Sequence, residues 1–199
     1  DVERSRGLGD VYKRQSLTGR LLVAMPGIDD DRFRHAVILI CAHDDEHALG
    51  LRLDQPAPGV SLAEVLEKLD TPVDDAARDR SVLIGGPVER ERGFVLHTAD
   101  WTSEDASLTF GDGLALTGTR DALAAMADAE DGPSRAILLL GYAGWGEGQL
   151  EEELNENVWL TTDADPALIF DADYDTKWSR ALAALGVDAA RLSSQSGRA

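Results

Sequence analysis

Four histidines and one cysteine are the side chains best suited to proton transfer or nucleophilic chemistry near neutral pH, and their neighbours decide what each can do. His43 and His47 stand four apart and enclose Asp44, Asp45 and Glu46, residue types that could hold a divalent metal if they shared a helical face. The segment reads instead as a strand end followed by a turn, so that face is lost and a solvated acidic turn is expected. His97 closes "GFVLH", where it could meet His43 across a sheet as a general base. The favoured reading is a strand-end histidine bonded to backbone. Cys41 lies in the apolar "AVILICAH", which raises a thiol's pKa and leaves it inert, and no serine sits in a G-x-S-x-G context. No catalytic set, metal set or cofactor is therefore expected.

The stretch "GYAGWGEGQLEEEL", Gly141 to Leu154, raises a different chemistry. Glycines between an apolar run and a helix can cradle phosphate, but Gly141, Gly144, Gly146 and Gly148 match neither G-x-G-x-x-G nor the P-loop spacing. Glu147, Glu151, Glu152 and Glu153 also crowd the helix start, so an arriving phosphate would meet carboxylates. The expectation is a structural joint: a loop folding over "GGPV" (Gly85 to Val88) and "RGFVLH", with Arg92 pairing a helix-start carboxylate and Tyr142 and Trp145 covering the junction. Such a junction is either sealed by packing or edged by a small cleft.

The elements that must position these residues follow from periodicity. "RLLVAM" and "HAVILICAH" read as strands, the second buried on both faces, and "ALGLRLD" returns as a hairpin partner. "SLAEVLEKLD" is a helix with Ser61 and Glu64 as a capping box and Leu62, Val65, Leu66 and Leu69 on one face. "SVLIGGPV" and "GFVLHTAD" read as strands around a charged "ERER" turn, and "SLTFGDGLALT" as a hairpin. "RDALAAMADAE" is a helix capped by Thr119. Then come strand "AILLL", the glycine loop, helix "QLEEELNE", strands "VWLTT" and "ALIF", and helix "DTKWSRALAALG" ended by Gly186. Strands in hairpins with helices between groups predict α+β with a mixed or mainly antiparallel sheet.

Composition bounds the function. The 199 residues are 43% hydrophobic and carry a formal net charge of -18, which suits one globular domain over residues 16–192 and opposes nucleic-acid binding without a local basic patch. A lone cysteine, and no apolar run near the roughly 20 residues of a membrane span, point to the cytoplasm. The first methionine is Met25, and Asp1 to Gln15 has no sustained period, so that segment is expected to be a non-native or disordered leader; residues 193–199 are expected to form a loose tail.

"GRLLVAMPG", "FRHAVILICAHDDEHALGLRLDQP", "IGGPVERERGFVLH", "LLLGYAGWGEGQLEEELNENVWL" and "LIFDADYDTKWSRALAALGVD" together resemble the bacterial AlgH/YqgE family (UPF0301, DUF179) over Leu17 to about Leu192. The resemblance implies an α+β fold with a bifurcated sheet and a small barrel-like part flanked by helices. It implies no accepted mechanism, although some members carry a transcriptional-regulator label linked by genetics to alginate production. Three departures fall in the first hairpin: "AHD" at Ala42 to Asp44 for "EHN", His47 before "ALG", and Arg52, Leu53 and Asp54 for "VIN". The matching positions and the joint together give the candidate ligand cleft as His43, Gly85, Gly86, Arg92, His97, Gly141, Tyr142, Gly144, Trp145, Gln149 and Glu151. A binding or regulatory protein with an unknown protein or small-molecule partner ranks first. An enzyme using His43 and His97 ranks second, and a DNA-binding regulator third.

Overall fold

A computed structural model describes residues 15–193, so the leader and tail expectations fall almost wholly outside the described residues. Among the described residues nine strands form one sheet: β1 (Arg20–Ala24), β2 (Val37–His43), β3 (Ala48–Arg52), β4 (Val82–Ile84), β5 (Val88–Thr98), β6 (Ser107–Phe110), β7 (Leu114–Thr117), β8 (Ala136–Trp145) and β9 (Trp159–Asp163). The helices are α1 (Leu62–Lys68), α2 (Arg120–Ala127), α3 (Gln149–Asn155), α4 (Pro166–Ile169), α5 (Tyr174–Ala184) and α6 (Ala189–Ser193), with a 3-10 turn at Asp31–Phe33. The order across the sheet is β6-β7-β5-β8-β3-β2-β1-β9, and β4 pairs β8 outside that path. The pairs are antiparallel except β4 with β8, as the hairpin pattern predicts.

The sheet forks at β8. One flank of β8 pairs with β5, while the other carries β4 along Leu138–Leu140 and then β3 along Ala143–Trp145. The chain must therefore pass from Ile84 on one side of β8 to Val88 on the other. Two strand spacings are about 9.6 Å and four extended residues span about 13 Å, so the connection has almost no slack and lies directly on the strand beneath. A Cβ on Gly86 would sit 2.1 Å from the Tyr142 carbonyl carbon, and one on Gly85 2.3 Å from the Gly141 oxygen. Gly141 answers from below with φ 74, its own Cβ position 2.7 Å from the Gly86 and Val88 oxygens. "GGPV" and "GYAGW" are thus two halves of one backbone crossing, where side chains have no room.

Three expectations change. The "ERER" segment is part of β5: between the pairs Val88–Tyr142 and Gly93–Leu140 the strand carries extra residues, and Glu89 has φ 46, so the charged run is a wide bulge on an exposed strand. The glycine loop is mostly strand, because β8 runs on through Trp145 and only Gly146 to Gly148 turn. "ALIF" is helix α4, since Asp165 accepts from the Ala167 N–H at 2.9 Å and Pro166 takes the first helical position, a helix-start signature that outweighs a short apolar run.

The other helices match their signals. Ser61 and Glu64 close the capping box on α1, which buries Leu62 and Leu66, and Gly186 follows α5 with φ 71. Thr119 stands at the α2 N-cap position, but its hydroxyl makes no cap bond. Leu21, Val23, Leu39, Leu51, Leu96 and Leu139 pack inside the curl of the sheet against Ile169, Ala181 and Leu182 of α4 and α5. On the outer face, Ile38, Ile40, Trp145 and Trp159 pack with Leu150 of α3, and Val82, Val95 and Leu138 with α1 and α2.

Candidate functional site

Beside the crossing lies a cleft of about 780 Å³. One wall is the turn after β1, from Met25 to Asp30 with Arg32 and Phe33; Pro87 and Val88 form a lip; Trp145 and Trp159 form the floor; α3 and its exit supply Gln149, Glu153 and Glu156. The floor is held by one carboxylate. Glu153 Oε2 accepts from Trp145 Nε1 at 2.8 Å and from Trp159 Nε1 at 2.7 Å, while its Oε1 accepts from Gln149 Nε2 at 3.0 Å. Gln149 Oε1 in turn accepts the Gly146 N–H at 3.1 Å. Of the helix-start glutamates, Glu153 thus does structural work. The rings of Trp145 and Trp159 meet edge-on at 6.3 Å, with Phe33 edge-on to Trp159 at 5.8 Å.

The wall is fixed from behind by Arg52 and Asp54. Arg52 Nε and Nη2 bond Asp54 at 2.9 and 2.8 Å, with side chains only 11% and 8% exposed. The same guanidinium donates to the carbonyls of Arg32 and Arg34, and Asp54 accepts the Val37 N–H at 3.1 Å. A planar, five-donor side chain is needed to hold two loop carbonyls and a carboxylate together. Asp30 pairs with Arg32 at the mouth, and that guanidinium holds the Asp30 carboxyl below its usual range.

The expected cleft residues divide among several places. Gly144, Trp145 and Gln149 line the large cleft; Tyr142 and Gly144 face a smaller hollow of about 400 Å³ with Asp44 and His47. Gly85, Gly86 and Gly141 are the crossing itself. Arg92 does not pair with an α3 carboxylate: it meets Glu89 at 3.4 Å and lies 4.9 Å over the Phe94 ring, which stands edge-on to Tyr142 at 6.1 Å. His43 accepts the Leu17 N–H on Nδ1 at 2.9 Å, which leaves the proton on Nε2 to donate to Glu151 Oε1 at 2.9 Å. His97 donates from Nδ1 to the Thr98 carbonyl and accepts from the Thr117 hydroxyl on Nε2, both at 2.9 Å.

The two histidines do not meet. His97 aligns with Ala136 at one end of β8, and His43 pairs Ala48, which aligns with Trp145 at the other end. Nine residues of strand, on the order of 30 Å, lie between. His47 turns to Asp44 at 3.2 Å in the hairpin loop, and Asp44 accepts the Glu46 and His47 N–H groups at 2.8 Å. Among the described residues no three of His, Cys, Asp and Glu are grouped to hold a metal. Burial pushes the Cys41 thiol far above its ordinary pKa.

The wall from Met25 to Phe33 and the floor residue Trp159 were missed from sequence. Their signal is there in retrospect: "MPGIDDDRF" strands Ile28 and Phe33 among polar turn residues, with no helix or strand period to bury them.

A curled, largely antiparallel sheet with flanking helices and a tryptophan-floored cleft at a strand crossing defines an α+β protein of half-barrel type. Its family follows: residues 21–190 match the DUF179 model, described as AlgH-like, and the chain belongs to that family. It is 55% identical over 183 residues to a UPF0301 protein of Caulobacter vibrioides strain NA1000 / CB15N, covering 92% of this chain and 94% of that one. A UPF0301 protein of Ruegeria pomeroyi is 48% identical over 184 residues, covering 92% and 99%. The solution structure of the AlgH protein from Pseudomonas aeruginosa superposes with a TM-score of 0.73 at 38% identity, covering both chains fully. No helix of the described residues is long and apolar enough to cross a membrane.

Proposed function

We propose that this chain works by binding rather than by catalysis, with a small molecule or a partner's side chains seated in the tryptophan-floored cleft, and that it acts in the cytoplasm. The observation carrying this reading is the Glu153 clamp. A carboxylate that receives two indole N–H groups and an amide is committed to holding an open shape, and three of its roughly four acceptor positions are taken up in doing so. His43 and His97 support the same reading, since each has both ring nitrogens engaged within the protein and neither is free to take a proton from a substrate. Regulation through direct DNA contact is opposed by the charge of -18, so a regulatory role would run through the bound ligand or partner.

Crystals soaked in a mixture of bacterial metabolites provide the test. Ordered density over Trp145 and Trp159, between Pro87 and Glu156, is expected. Repeated soaks that leave the cleft holding solvent alone, with density instead beside His43 or His97, would favour the catalytic alternative.

A further inference from the structure

A second cleft, of about 470 Å³, opens where β4 and β8 begin. These are the parallel neighbours of the sheet, aligned Val82 to Leu138, so the residues entering the two strands, Arg80–Ser81 and Ser134–Arg135, are brought side by side. Two arginines and two serines then line one cleft, with Asp79 and Asp171 as its acidic members, in a molecule whose net charge is strongly negative. Arg80 is incompletely satisfied: Nη2 donates to the Pro133 carbonyl at 2.9 Å, while Nη1 is buried with no hydrogen-bond partner. A buried, unpaired N–H on a half-buried guanidinium is costly and calls for an acceptor. Ser81 receives the Tyr174 hydroxyl proton, so its own O–H is free to donate elsewhere. The Arg135 side chain is exposed and has no hydrogen-bond or ion-pair partner among the described residues.

We propose that this cleft binds the phosphate group of a soluble metabolite, with Arg80, Arg135 and Ser81 as its donors. Of the opposing carboxylates, Asp171 is paired with Arg180 at 2.9 Å; the nearby Asp100 accepts the Thr98 hydroxyl at 2.6 Å and the Ser134 N–H at 3.1 Å and keeps its charge, and Asp79 also lines the cleft, so the phosphate must be held by short bonds to the arginines rather than by a net positive field. Repulsion from the rest of the acidic surface is screened beyond about 8 Å at physiological salt, whereas charge-assisted bonds within the cleft are not. Phe170 and Ile137 give an apolar wall for the body of a phosphomonoester. The site is separate from the tryptophan cleft and stands or falls without it.

The test is a thermal-shift and calorimetric titration of the full chain with inorganic phosphate, glycerol 3-phosphate and vesicles containing phosphatidic acid, at constant ionic strength set by chloride. A saturable rise in Tm with the two soluble probes is expected. Arg135→Gln, a surface change outside the core, should weaken binding roughly tenfold or more, the scale of one charge-assisted bond. Arg92→Gln alters net charge equally on another part of the surface and should leave affinity unchanged. No saturable binding of the soluble probes, equal weakening by Arg92→Gln and Arg135→Gln, or binding to vesicles alone would each overturn the proposal.

Discussion

Glu153 shows how one side chain can shape a site without reacting in it. Trp145 and Trp159 are 6% and 3% exposed, so their indole N–H groups depend on this carboxylate for partners. Glu153→Ala would leave two nearly buried donors unpaired and should cost about 3 kcal/mol in urea unfolding, whereas Glu153→Gln keeps an acceptor oxygen and should cost about 1 kcal/mol. Equal losses in the two variants would mean that packing, not the bonds to Oε2, holds the floor. His97 yields a prediction of a different kind. Burial holds its folded pKa below the ordinary 6.5, against smaller opposing contributions from the Thr98 carbonyl and Asp100. The unfolded chain therefore takes up the proton first as pH falls through 6.5, and stability drops from there until the folded pKa is reached. Unfolding free energies of the parent and His97→Gln, compared between about pH 7.5 and about pH 5.5, should show a smaller decline in the variant. Identical slopes would show that His97 is not a source of the acid sensitivity.

At the level of elements, the crossing of "GGPV" over β8 is the feature on which the cleft depends. Gly86→Ala would place a methyl group 2.1 to 2.4 Å from the backbone of Tyr142 and Ala143, where no rotamer change relieves it. The expected result is loss of folding or a destabilisation on the order of 3 kcal/mol or more. Gly146 has nothing within 4 Å of its Cβ position and no positive φ, so Gly146→Ala should be neutral or stabilising by up to about 1 kcal/mol. Thermal unfolding of both variants checks the pair; similar Tm values would remove the crossing as the constraint. The sequence expectation is a structural joint in the glycine-rich stretch as a whole, and the tightest backbone approaches fall at Gly85, Gly86 and Gly141. Composition reveals that glycines are needed but not which backbone passes over which, because that depends on strand pairing between segments more than 50 residues apart. The hairpins, α1 and α5 were legible because their periods and caps are local. The strand through "GYAGW" was not, since glycine carries no side-chain period to read. The cleft was half legible: Trp145 and Gln149 lie on a conspicuous motif, while Phe33 and Trp159 reach it only through the pairing of β1 with β9 and the loop after β1.

For the molecule as a whole, charge and shape point the same way. At -18 the purified chain should give no sequence-dependent mobility shift with duplex DNA at physiological salt, and any weak association should not show the steep salt dependence that several phosphate contacts produce. A specific, salt-sensitive complex would contradict this. What the molecule offers instead is a cleft of about 780 Å³ whose floor carries two of its four tryptophans. The most direct measurement is therefore the ¹H–¹⁵N spectrum of the indole N–H groups during titration with fractionated bacterial metabolites. Binding in the cleft should shift the Trp145 and Trp159 resonances in a saturable way and leave Trp101, which packs against His97 outside it, unmoved. If every fraction leaves Trp145 and Trp159 unchanged, or moves Trp101 equally, the cleft is not the place where this protein binds.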